Sequence, residues 1–112
     1  MMIGDKWGRD PGVQRMRVIF GKIEQAQNEF LSVSGVWAFD ERLREWRRAA
    51  LTHFEHSWGQ AARKGVTLSD DEVAVLYVTC LARTIQRGGV KIPSLVNLEH
   101  EKIDRLLETD LQ

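Results

Sequence analysis

The stretch SDDEVAVLYVTCLARTIQRGG, from Ser69 to Gly89, carries signals for both ends of a helix and the most apolar interior of the chain. Ser69 followed three residues later by Glu72 is the reciprocal capping pattern, in which the serine hydroxyl accepts the N3 amide proton and the glutamate accepts that of the N-cap. Leu68 before the cap and Val73 at N4 are spaced for a hydrophobic staple. Asp70, Asp71 and Glu72 set negative charge at the positive end of the helix dipole, and Arg83 and Arg87 set positive charge at the other. Gly88 is placed for the left-handed position that ends a helix. From Val73 to Ala82 no residue is charged, so the helix is apolar almost all round and needs cover on several sides. Val73, Val75, Tyr77, Val78 and Thr79 also favour a strand, but the capping pattern, the alanines and the lack of any partner strand outweigh that preference.

Working back toward the N-terminus, residues 40–64 repeat Leu43, Trp46, Ala50, Phe54, Ser57 and Ala61 at helical spacing, and Gly65 supplies a C-cap after Arg63 and Lys64. The run Ser32 to Phe39 breaks the periodicity. Before it, Asp10 is a cap, Pro11 suits the first turn, and Val13, Met16, Ile19, Phe20, Ile23, Ala26, Gln27 and Phe30 trace one buried face. Gly21 within that helix suggests the close approach of another backbone. Residues 1–9 have no periodicity and read as a mobile N-terminal tail. Beyond Gly88, Gly89 and Pro93, a last helix restarts at Ser94 or Asn97, with Leu95, Leu98, Ile103, Leu106, Leu107 and Leu111 as its apolar stripe. Residues 10–112 thus form one all-α domain, a four-helix, largely antiparallel bundle whose third helix, over about 69–88, is buried.

At 112 residues the chain has the size of a single core, and 43% hydrophobic with 29% charged residues argues against disorder. Sixteen basic residues balance sixteen acidic ones, so a nucleic-acid or anionic-membrane partner would need a local patch. Uncharged runs of about ten residues fall short of the ~20 needed to cross a bilayer. A lone cysteine, Cys80, excludes an intramolecular disulfide, and a cytoplasmic location is the simplest expectation.

The sharpest charged cluster is RLREWRR, Arg42 to Arg48, in which Arg44, Arg47 and Arg48 share a helical face suited to phosphates. Asp40, Glu41 and Glu45 lie at pairing distance along the same helix, and Trp46 falls on its apolar stripe, which favours a solvated, self-paired face. His53 and His56 are three apart, a spacing that suits two metal ligands, with His100 or Cys80 as a third; no Glu-x-x-His or His-Glu-x-x-His completes the set. Arg47 or Arg48 followed by His53 also matches an arginine-to-histidine spacing used in helical ribonucleases, a coincidence expected by chance at this composition. No nucleophile stands beside a histidine and no phosphate loop is present, so no catalytic residue, cofactor or metal is assigned.

The expected role is therefore a small helical protein–protein interaction module, an adaptor, regulator or subunit that forms a homodimer and has no chemistry of its own. Val75 and Val78 lie off the Val73, Leu76, Tyr77, Cys80 and Thr84 stripe and are the expected interface, with Trp37 and Trp7 as further contacts. The alternatives are a nucleic-acid-binding regulator using Arg44, Arg47 and Arg48, and a metal-binding or ribonuclease-like protein centred on His53 and His56.

Overall fold

In the computed structural model the capping pattern at Ser69 is realised. Its hydroxyl accepts the Glu72 amide at 3.2 Å, and its own amide donates to Glu72 Oε1 at 2.9 Å. The structure describes residues 11–36, 40–92 and 100–110, with side chains over 16–36, 41–92 and 100–108. Within these residues the chain forms α1 (Pro11–Ser34), α2 (Asp40–Arg63), α3 (Asp70–Arg87) and α4 (Glu101–Asp110).

The ends of the helices follow local chemistry, with two shifts from expectation. Helix α1 continues through Ser32 to Ser34 and stops where Gly35 takes a φ of 72°. At the end of α3 the left-handed residue is Gly89, at φ 90°, while Gly88 keeps a helical φ of −77°. The amides of Gly89 and Val90 then reach back to the carbonyls of Gln86 and Ile85, the paired bonds that satisfy a helix C-terminus. Gly88 is needed small for another reason. A Cβ there would lie 2.9 Å from Trp46 Nε1 and 3.1 Å from Arg42 Nη2. Gly65, at φ 72°, ends α2 as expected, with Val66 N bonded to Ala61 O at 2.8 Å.

Helix α3 is the axis of the fold. Helices α1 and α2 each pack along it, α4 touches both α2 and α3, and among the described residues α1 and α2 make no close approach to each other. Ten residues of α3 are buried, from Val73 to Ile85, and all but Ala74 and Thr79 join Phe30, Leu31, Leu43, Trp46, Phe54, Ile103 and Leu107 in one core. Direction follows from cross-helix pairs. Lys22 meets Asp71 and Gln27 meets Tyr77, so α1 runs with α3; Phe54 meets Tyr77 and Arg42 meets Gly88, so α2 runs against it.

Two expectations about burial fail for a common reason. Ile19 is 2% exposed, so the core still covers α1 ahead of Lys22, but only along a narrow line of the helix. Phe20 is accordingly 54% exposed and Met16 37% exposed. Gly21 is exposed too, with nothing within 4 Å of where its Cβ would stand, so no backbone approaches it. Asp10, Val13, the restart at Ser94 or Asn97, and Leu95, Leu98 and Leu111 lie outside the residues whose side chains are described. His100 stands just before α4, its carbonyl accepting Asp104 N at 2.8 Å.

Candidate interaction surface

Of the interface residues expected on α3, the chain itself covers most of the surface. Val78 is 6% exposed and Val75 half-buried, because α1, α2 and α4 already surround α3 within one chain. A side chain so covered offers little to a partner, and the excess apolar surface of the central helix is used internally. Trp7 and Trp37 fall outside the described residues.

The apolar surface left open lies instead on the flanking helices: Met16, Val18, Phe20 and Val33 on α1, and Leu51 on α2. Met16 and Phe20, four apart, share a face, and Phe20 stands two turns before Gln27 on the same side of α1. Gln27 itself accepts the Tyr77 hydroxyl at 2.7 Å, and the Tyr77 ring meets Phe54 of α2 edge-on with centroids 5.6 Å apart. That tyrosine marks the side of α3 lying between the two flanks. On α2, Arg47 is two turns before Phe54 and belongs to this side, whereas Leu51, 44% exposed, turns away from it.

The arginine cluster is divided by the fold. Arg42 donates to the Gly88 carbonyl at 2.9 Å and lies 4.6 Å from the centre of the Trp46 ring, which makes it a clamp on the end of α3. Arg47 stands near the Tyr77 hydroxyl. Burial pushes that phenol up from its ordinary pKa, with the Arg47 guanidinium acting in the opposite direction. Arg44 and Arg48 are exposed, and the pairings anticipated with Glu41 and Glu45 are absent among the described residues. Trp46 is 7% exposed, a core residue as its position on the stripe implied.

His53 is half-buried and His56 exposed, and among the described residues no three of His, Cys, Asp and Glu converge on a point where a metal would sit. Cys80 is fully buried. The ribonuclease-like spacing also fails geometrically, since residues five or six apart on an α-helix point roughly 120–140° away from each other. Arg47 or Arg48 and His53 therefore do not face one phosphodiester together.

One concavity, of about 360 Å³, was not anticipated; Lys64, Val66, Glu101, Lys102, Arg105 and Leu106 line it. Much of its charge is answered within the chain: Lys102 donates to Thr67 O at 2.7 Å and pairs with Glu72, and Arg105 pairs with Glu101. Among the described residues no helix is long and apolar enough to cross a membrane. Compared with family models, with curated proteins and with solved structures, the chain matches none of them.

Proposed function

We propose that this chain is a helical protein–protein interaction module that associates with a second copy of itself, and that the exposed apolar residues of α1 and α2 form its contact surface. The observation that carries this reading is Phe20, a residue 54% exposed although it continues the core-facing side of α1. Burying a phenylalanine stabilises by roughly 1.5–3 kcal/mol, so an aromatic ring left in water next to a formed core is a standing driving force for association. Met16 extends the same patch along α1.

Light scattering over a range of protein concentrations tests the proposal. The mass should rise from the monomer value of 12.9 kDa toward twice that value. Phe20→Ser should return it to the monomer while leaving the helical circular dichroism unchanged, since the ring lies outside the core. A wild type that stays monomeric at every concentration overturns the self-association reading.

A further inference from the structure

The outward face of α2 has a charge order that complements itself. Arg48 and Glu55 are two helical turns apart on one line, roughly 10 Å along the axis. Leu51, 44% exposed, lies between them, three residues after one and four before the other. Both charged residues are exposed, and among the described residues neither side chain is engaged in an ion pair or a hydrogen bond. Their sequence separation is too great for a helical pair with each other. The row is thus a cation, an apolar centre and an anion, with no internal neutralisation.

We propose that two copies dock α2 on α2, antiparallel, about a twofold axis next to Leu51, with Arg48 of each chain against the partner's Glu55. A twofold contact brings each position i of one copy onto j of the other and j onto i, so both ion pairs form together around a Leu51–Leu51 contact. A parallel pairing would set like charges against each other and is disfavoured. The second copy is favoured over a phosphate backbone because an aliphatic side chain occupies the middle of the charged row and an exposed carboxylate its end, where a polyanion would be repelled. This inference rests on the self-association reading but seats the contact on Leu51 of α2 and not on Phe20 of α1, and the Phe20→Ser and Arg48→Glu variants decide between the two seats. One helix face buries a modest area, which places the dimer among weak, concentration-dependent ones, with the apolar contact supplying attraction and the charges supplying direction.

Sedimentation equilibrium of the full chain, from about ten micromolar to about one millimolar, tests it. Arg48→Glu and Glu55→Arg should each weaken dimerisation about tenfold or more, because both symmetry-related contacts become repulsive. An equimolar mixture of the two variants should dimerise again, since every facing pair is then opposite in sign. A mixture that stays monomeric overturns the proposal, as does a dimer indifferent to both substitutions. If Phe20→Ser abolishes a dimer that Arg48→Glu leaves intact, association runs through α1 and the α2 geometry alone is wrong. A monomeric wild type removes both. Retention of a labelled oligonucleotide that Arg48→Glu abolishes, with no change in mass, would assign the face to nucleic acid and overturn the proposal.

Discussion

The hydroxyl of Tyr77 donates to Oε1 of Gln27 across 2.7 Å, inside the seam where α3 meets α1, with both residues buried. This is the buried polar link between helices whose partners stand 50 positions apart. Tyr77→Phe keeps the ring and its packing on Phe54 but leaves the Gln27 carbonyl oxygen without its donor. A loss of about 1–2 kcal/mol is expected in chemical denaturation.

Tyr77 is the sole tyrosine, so its ionisation can be followed without interference. Burial raises its pKa above the ordinary value of about 10, with Arg47 opposing the shift. The sign follows from linkage: the native state holds the proton more tightly than the unfolded chain, so the contribution is complete below the unfolded pKa and is lost as pH rises toward the folded one. Phenolate absorbance should appear at higher pH in the native protein than in the protein unfolded by guanidinium, and Arg47→Ala should move the native titration higher still. A native curve that coincides with the unfolded one would contradict the burial of this phenol.

At the start of α3, Ser69→Ala removes the hydroxyl that accepts the Glu72 amide and should cost about 1 kcal/mol. The Glu72 carboxyl is held below its ordinary range, first by the Ser69 backbone amide and then by Lys102. Its contribution is therefore present above the unfolded pKa and disappears as pH falls through the lowered folded value. Glu72→Gln should flatten the acid limb of the stability profile measured by thermal melts at a series of pH values. An acid limb unchanged by the substitution would place the titrating group elsewhere.

Two glycines should respond to alanine with opposite signs. At Gly21 the Cβ enters open space in the middle of an exposed helix, so stability should rise by roughly 1 kcal/mol. At Gly88 the backbone already suits alanine, yet the new carbon meets Trp46 Nε1 at 2.9 Å, and Trp46 is buried. A loss of about 1–3 kcal/mol is expected from displacing that ring. Equal effects at the two positions, read from denaturant midpoints, would refute the Trp46 contact.

Ser57 is fully buried on α2, and among the described residues its hydroxyl has no hydrogen-bond partner. Alanine removes a desolvated polar atom and improves helix propensity at no cost in cavity volume beyond one oxygen. Ser57→Ala should therefore stabilise the fold by on the order of 1 kcal/mol. A destabilised variant would show that the hydroxyl has a partner in solution.

What the sequence made legible was local. Both ends of α3 could be read because caps act between neighbours: Ser69 and Glu72 are three residues apart, and the terminal glycines needed only a shift of one, from Gly88 to Gly89. Burial of α3 is legible from its uncharged interior, but the identity of the cover over Val78 is not, because periodicity says nothing about how many helices surround an axis. Phe20 failed for a related reason. Its stripe is regular, yet the covered line is narrower than the stripe: Ile19 is 2% exposed, while Phe20, about 100° round the helix, is 54% exposed. In the Arg42 to Arg48 cluster, spacing revealed a common face but not the carbonyl of Gly88 or the phenol of Tyr77, which lie far away in sequence and redirect two of the arginines.

Because, among the described residues, α1 packs on α3 alone while α2, α3 and α4 also hold one another, the first helix is attached to them through one seam. Its closure spans a long loop, whereas α2 and α3 are joined by a short turn, so the entropy of ordering falls most heavily on α1. Local opening is then graded along the chain: α1 can leave while the other three keep their mutual contacts, and amide hydrogens within it should exchange through a lower-energy opening than those of α3. The protein has in effect a removable side, and anything that grips Phe20 from outside also sets how often that side comes away.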